Sequence, residues 1–359
     1  MRKSAPFLFS RAIKVGNRKI GEGAPVYFVA EIGANFDGDL KKAKEYARVA
    51  KECGADCAKI QSFKSKKIVS ARGFASMKLK GVHGSWKRPV DEVFKEVEFP
   101  RAWHRKFFEY CWEIGITPSS APYDYEAVDL MEDIGAEFYK IGSGDITWLE
   151  MVEYIAKKGK PVMLATGAST LAEVDEAVRV IEKTGNRDLV LMQCITNYPS
   201  KFESANINVL HTYRKAFGAI LGYSDHTPGD VVPLGAVAFG AKVIEKHFTF
   251  DRGLPGPDHP HSMEPQEFAD MVSRARDLEK ALGSSKKEVV AEEAETVIVQ
   301  RRGLTAARDI KKGERITRSN VVELRPALGI PPKYKNVVIG KRMRTSLRAG
   351  EPIRWENIG

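Results

Sequence analysis

The chain has 359 residues, 43% hydrophobic and 29% charged, with a formal net charge of +10. That is length enough for one large domain and one small one, and the composition of a soluble globular protein. No apolar run approaches the ~18 residues of a bilayer-spanning helix, and the segment Met1–Arg11 lacks the apolar core and small-residue site of a signal peptide, so the expectation is a cytoplasmic protein. The four cysteines, Cys53, Cys57, Cys111 and Cys194, form no C-x-x-C pair and read as free thiols in a reducing compartment. Most of the positive surplus lies after Ser284, but no basic run exceeds two residues and the charges are interspersed with apolar ones. A folded basic module fits that pattern better than a nucleic-acid-binding tail.

In chain order, eight short apolar runs recur: Val26–Glu31, Cys57–Gln61, Ile116–Ser120, Phe138–Gly142, Pro161–Thr166, Leu189–Gln193, Ile220–Ser224 and Lys242–His247. Each has strand length, and amphipathic helical stretches lie between them. Leu40–Cys53 puts Ala43, Ala47 and Ala50 on one face, Tyr125–Ile134 repeats the pattern, and Thr170–Thr184 opens with the capping sequence Ser169-Thr170-Leu171-Ala172-Glu173. Eight strands alternating with helices predict an α/β fold, a TIM (β/α)8 barrel of ~250 residues. The second and third runs are separated by an extra segment containing Gly73, Gly81, His83, Gly84 and Trp86, read as a long loop on the active face. An open doubly wound sheet is disfavoured because no glycine-rich phosphate loop follows the first strand. The boundaries expected are a barrel domain over 1–283, a linker over 284–296 and a small β-rich module over 297–359. In that module Ala306–Glu314 is loosely echoed by Arg344–Glu351.

In a (β/α)8 barrel the reactive groups stand at the C-terminal ends of the strands. Here those ends carry Glu31, Lys59, Gln61, Ser120, Lys140 with Ser143 and Asp145, Thr166, Thr196, Ser224-Asp225-His226, and Glu245 with His247. Burying so many polar groups is costly unless they pair or bind a ligand. His226 and His247 end neighbouring strands, where two imidazoles can share a metal and leave other positions open to polarise an aldehyde oxygen. His259 and His261 read as loop structure or supporting residues. Lys59 and Lys140 suit a phosphate and carboxylate site, with hydroxyls from Ser143, Thr166 and Ser224. The competing reading is a structural ion network in which the lysines pair with Glu31, Asp145 or Glu245.

The segments Gly222-Tyr223-Ser224-Asp225-His226-Thr227 and Val243-Ile244-Glu245-Lys246-His247-Phe248-Thr249, with Glu31–Leu40, Gly54–Gln61, Lys140–Thr147, Thr166–Thr170, Leu254–His259 and Arg325–Ile330, resemble the sialic acid (N-acetylneuraminate) synthases. The tail resembles that family's antifreeze-like (SAF) domain. The resemblance implies a transferase joining phosphoenolpyruvate to an N-acylated mannose-like sugar. It implies Mn²⁺, or another divalent cation such as Mg²⁺, on His226 and His247. Lys59, Lys140, Ser143 and Ser224 are implied phosphoenolpyruvate contacts; Thr166 and Thr196 are further expected substrate-binding residues. Glu31, Gln61, Asp145, Tyr198 and Asp258 are implied to face the sugar. Arg325 is implied to reach a partner's barrel in a domain-swapped homodimer. Four positions depart from the family pattern: Phe36 for a usual His, Asp145 for Glu, Ala165 for Ser and Thr196 for Asn. They bear on the sugar more than on the reaction. Rival expectations are a heptulosonate- or octulosonate-phosphate type of synthase, an aldolase working through a lysine Schiff base, and a non-enzymatic carbohydrate-binding scaffold.

Overall fold

A computed structural model describes residues 8–78 and 88–359. The chain divides into two compact units, Met1–Gly283 and Ser284–Gly359. In the first, a two-stranded antiparallel hairpin, β1 (Ala12–Val15) and β2 (Arg18–Gly21), precedes eight parallel strands. These are β3 (Tyr27–Glu31), β4 (Cys57–Ser62), β5 (Thr117–Pro122), β6 (Tyr139–Ile141), β7 (Val162–Ala165), β8 (Leu189–Cys194), β9 (Ile220–Asp225) and β10 (Val243–His247). Each falls within two residues of an apolar run recognised in the sequence. Their order in the sheet is β5-β4-β3-β10-β9-β8-β7-β6. β10 closes onto β3, and the ladder is interrupted only between β5 and β6, which is the (β/α)8 arrangement expected.

Two apolar layers follow from the period-two alternation of a strand. Outward residues such as Phe28, Ala58, Leu164 and Ile244 pack against the surrounding helices, which contribute Ala43, Ala47 and Ala50 from Leu40–Glu52 and Phe268 and Met271 from Pro265–Leu282. Inward residues Tyr27, Val29, Cys57, Phe138, Met163, Val190 and Val243 form a second cluster with Ile13, Val15 and Ile20 of the hairpin. The hairpin therefore plugs the end of the barrel where the strands begin, a feature the strand count did not reveal. With that end packed by side chains, the inward positions further along each strand can be polar. The helix Leu171–Thr184 starts at Thr170 with the full capping box to Glu173 that its sequence suggests.

Between β4 and helix Arg101–Ile114 lie the short helices Ser65–Ile68, Ala71–Ala75 and Val90–Glu96. Gly81, His83, Gly84 and Trp86 of the long-loop reading fall outside the described residues. The chain turns from a 3-10 turn at Ala291–Glu293 into a helix at Ala294–Gln300, so part of the stretch expected as linker is helical. The second unit has its own core of Leu304, Ala306, Ile310, Ile316, Val321, Val338, Met343 and Ile353. Its strands are the antiparallel pair β11 (Gly303–Ala306) and β12 (Val321–Leu324). Residues Lys335–Val338 form a further short helix. The two echoing segments pair with each other: Ile310 and Leu347 exchange backbone hydrogen bonds at 2.8 and 2.9 Å, and the Ala306 N–H donates to the Glu351 carbonyl at 2.9 Å. No helix among the described residues is long and apolar enough to cross a membrane.

Candidate active site

Parallel pairing in register sets the site. Glu31 lies opposite both Lys59 and His247, and Glu245 lies opposite Ser224. Alternation then sends Glu31, Lys59, Gln61, Lys140, Ser224, Glu245 and His247 to the inside, at the ends where the strands finish. They line one cavity of about 290 Å³ together with Ser143, Cys194, Thr196, Tyr198, His226, Asp258 and His261. One wall is apolar: Phe63, Ile68, Val93, Phe94 and Val97.

The centre is a four-charge cluster. The Glu245 carboxylate accepts from the Lys140 ammonium at 2.8 Å and lies 3.5 Å from that of Lys59, with the Ser224 hydroxyl donating to the same oxygen at 3.3 Å. Lys59 also contacts Glu31, whose other oxygen accepts from the Gln61 amide at 2.8 Å. Glu31, Lys59, Lys140 and Glu245 are all buried. Burial drives both carboxyls toward the neutral form. At Glu245 the two lysines overcome it and hold the group down at about 2, whereas at Glu31 burial wins and the pKa is raised. Two acids of the same chemistry are thus pushed apart, one fixed as an anion and one able to carry a proton. The expected structural ion network is present. It is also incomplete, since Oε2 of Glu245 is buried without a hydrogen bond.

Beside this cluster a tight junction brings Ser143, Gly167 and Thr196 together. The Gly167 N–H donates to the Ser143 hydroxyl at 2.9 Å, and a Cβ on Gly167 would stand 2.1 Å from the Thr196 hydroxyl. Only glycine permits that approach. The ring of Tyr198 packs between His226 and His261, with centroids 4.2 and 5.0 Å away.

His226 and His247 have ring centroids 5.4 Å apart. His226 Nδ1 faces the Ile195 carbonyl at 2.8 Å, which fixes the proton there and leaves Nε2 as the ligand atom. Burial, reinforced by nearby cationic side chains and histidines, pushes His247 well below the ordinary imidazole range. Its Nδ1 is buried without a hydrogen bond. An imidazole held neutral with an orphaned nitrogen, as at His247, is what a divalent cation requires; at His226 burial is outweighed by Cys194 and the Ile195 carbonyl, which raise its pKa, so a cation bound there would displace a proton.

Several expected site residues are placed differently. Thr166 turns outward, donating to the Met192 carbonyl at 2.9 Å and accepting from the Tyr213 hydroxyl at 2.9 Å, so it supports the helix layer and does not line the cavity. Asp145 does not line it either; burial raises its pKa to about 6, and its Oδ2 has no hydrogen bond. Asp225 points to the outer layer, where it pairs with Lys246. Phe36 is fully buried against Phe99, centroids 5.0 Å apart, so this departure from the family pattern is absorbed by the core. Arg325 belongs to the second unit. Residues the sequence reading left out are Tyr123 and the apolar wall, with Cys194 read there only as a free thiol and Glu245 only as a strand-end acid and ion-pair partner. Glu245 carried a signal, an acid two residues before His247 on the same inward face. The wall carried none, because its residues are scattered over two short helices and the turns beside them, where no strand period sets direction.

The NeuB family model matches residues 46–287, and the SAF domain model matches 301–359. An N,N'-diacetyllegionaminic acid synthase of Campylobacter jejuni is 36% identical, over 91% of this chain and 98% of that protein. The N-acetylneuraminate-9-phosphate synthase of Homo sapiens is 33% identical, over 95% of each chain. Among solved structures, the sialic acid synthetase of Leptospira borgpetersenii, in complex with citrate, matches with a TM-score of 0.73 at 32% identity, over 81% of this chain and 97% of that one.

Proposed function

Because the chain belongs to the NeuB family and ends in a SAF domain, we propose that it condenses phosphoenolpyruvate with the open-chain aldehyde of an N-acylated mannose-like sugar. The products are a nine-carbon 2-keto-3-deoxy acid and inorganic phosphate. The observation that carries the reading is the Lys59–Glu31–Glu245–Lys140 cluster facing a cavity that also holds His226 and His247. Lys59 and Lys140 exchange part of their carboxylate pairing for the phosphate and carboxylate of phosphoenolpyruvate, with Ser143, Ser224 and the Gly167–Thr196 junction beside them. The apolar wall receives the acyl methyl groups of the acceptor. Glu31, Gln61, Tyr198 and Asp258 orient its hydroxyls, so that the enol carbon meets the aldehyde in near-attack geometry.

His226 and His247 would hold the divalent cation, Mn²⁺ or Mg²⁺, whose contribution when bound is Lewis-acid polarisation of the aldehyde oxygen. The C–C bond forms as the enol carbon attacks, and the new alkoxide takes the proton held by Glu31. Positive character on the pyruvyl carbon is stabilised by the Glu245 carboxylate, which its lysines keep ionised. Water adds at that carbon and returns a proton to Glu31. The C–O bond to phosphate then breaks as the new hydroxyl becomes the 2-keto group and passes its proton to the departing phosphate, which the two lysines neutralise.

Arg325 in the second unit is proposed to complete the barrel site of a partner subunit in a swapped homodimer, as the family resemblance implies. The test is phosphate release from phosphoenolpyruvate over an acceptor panel: N-acetylmannosamine, its 6-phosphate, 2,4-diacetamido-2,4,6-trideoxy sugars, and phosphorylated aldoses without an N-acyl group. Turnover with an N-acyl sugar is expected. Turnover with only the phosphorylated aldoses, or none with any, overturns the assignment.

A further inference from the structure

His259 and His261 sit two residues apart on one 3-10 turn, yet their surroundings differ in kind. Both ring nitrogens of His259 are engaged, Nδ1 with the Thr249 hydroxyl at 2.7 Å and Nε2 with Asp37 at 3.1 Å. That histidine anchors the loop. The His261 side chain is only 4% exposed, lines the cavity, and leaves its Nε2 without a hydrogen bond. Its ring centroid is 4.9 Å from that of His247, whose Nδ1 is likewise buried and unpartnered. Between the two stands Asp258: Oδ2 is 3.6 Å from His247 Nδ1, and Oδ1 is 3.9 Å from His261 Nε2. One ligand atom from each of the three residues falls within 4.8 Å of the others. Donor atoms about 2.1 Å from a shared ion lie roughly 3–4 Å apart, so small side-chain adjustments suffice.

The carboxylate is held in this position. The Ala34 N–H donates to Asp258 Oδ2 at 2.9 Å, and a Cβ on Gly33 would lie 2.4 Å from the same oxygen. The Ser262 hydroxyl donates to the Asp258 carbonyl at 2.6 Å and accepts from the Asn35 amide at 3.0 Å, tying this turn to the loop after β3. Two orphaned imidazole nitrogens converging on a fixed carboxylate make a two-histidine, one-carboxylate set. Such a set occupies one side of a divalent ion and leaves the other side open to substrate.

We propose that His247, Asp258 and His261 together hold the divalent cation, so that the loop after β10 supplies two of its ligands and the strand-end pair His226–His247 is not the whole set. The inference rests on the metal-dependent reading above.

The test uses full-length protein stripped with a chelator and titrated with Mn²⁺, following the electron paramagnetic resonance of the free ion. The His261→Gln, His261→Ala, Asp258→Asn and His226→Ala variants are titrated in the same way. Melting temperatures are recorded for each, and the visible spectrum of bound Co²⁺ is recorded for wild type and His261→Gln. Weakening of Mn²⁺ binding by about tenfold or more in both His261 variants, with a changed Co²⁺ spectrum in a protein that melts normally, supports the triad. Unchanged Mn²⁺ affinity in folded His261→Gln and Asp258→Asn, with binding lost in His226→Ala, overturns it and leaves the proposed condensation standing. Failure of the wild type to bind Mn²⁺, Co²⁺ or Mg²⁺ removes the metal-dependent reading and the triad together.

Discussion

Glu245 is the residue on which the charge balance turns. It is buried, accepts from Lys140, and lies within ion-pair distance of Lys59. Substituting Gln keeps the shape and removes the negative charge, leaving Lys59 paired with Glu31 and the buried Lys140 ammonium without its carboxylate. Breaking such a buried pair costs about 3–5 kcal/mol. Glu245→Gln is therefore expected to melt lower than wild type and to lose about 10² or more in kcat/KM, checked by phosphate release below its melting temperature. Asp145 tests burial instead of pairing. Its pKa is raised to about 6 from an ordinary 3.8, with desolvation as the cause. Below about pH 4 the carboxyl is protonated in both folded and unfolded chains and contributes nothing. Between about pH 4 and 6 the unfolded chain ionises and the folded chain resists, so stability falls with rising pH; above 6 the full penalty applies. Asp145→Asn should be stabilising by up to about 3 kcal/mol at pH 7 and neutral at pH 3.5. Denaturant melts across that range would show it, and a pH-independent difference would sink the argument.

At the scale of elements, the β1–β2 hairpin separates stability from chemistry. Ile20 is fully buried in the inner cluster with Val15, Tyr27 and Val243, at the end of the barrel away from the strand termini that carry the charges. Ile20→Ala leaves a cavity and should cost about 2–5 kcal/mol. KM for both substrates should be unchanged below the transition. A raised KM with an unchanged melting temperature would mean that the hairpin governs the site and not the core. The strands themselves were legible because their period-two pattern is local. The same alternation that buries Phe28 and Ala30 outward turns Glu31 inward, so the polar strand ends declared themselves. Thr166 obeys that logic too, since Met163 and Ala165 face inward and Leu164 outward, which makes the next position an outward one. Reading it as a cavity residue overlooked that parity: its N–H continues the ladder to Met192 and its hydroxyl meets Tyr213 in the outer layer.

The whole molecule consists of two units with separate cores, one closing a ring of strands and one held by a strand pair, bridges and turns. Arg325 lies just after β12, in the second unit. If it acts on a partner's site, Arg325→Ala should leave the melting temperature and the oligomeric mass unchanged and raise KM for the sugar about tenfold or more, the loss of one charged hydrogen bond. Light scattering with steady-state kinetics checks both halves. An unchanged KM at an unchanged oligomeric mass would remove the arginine from the reaction.

The order of amino acids by itself determined the eight-strand alternation, the capped helices and the inward placement of Glu31, Lys59, Lys140, Ser224 and His247. All of these follow from local periodicity and from the rule that polar strand ends gather at one mouth. Only the tertiary structure decided that Glu245 and not Asp145 bridges the lysines, that Phe36 packs against Phe99, and that Asp258 and His261 come to His247 while His259 does not. The reason is physical. Those relations join residues far apart in the chain or on irregular loops, where no period sets direction. There the side chain points wherever closure of the barrel leaves room and a hydrogen-bond partner.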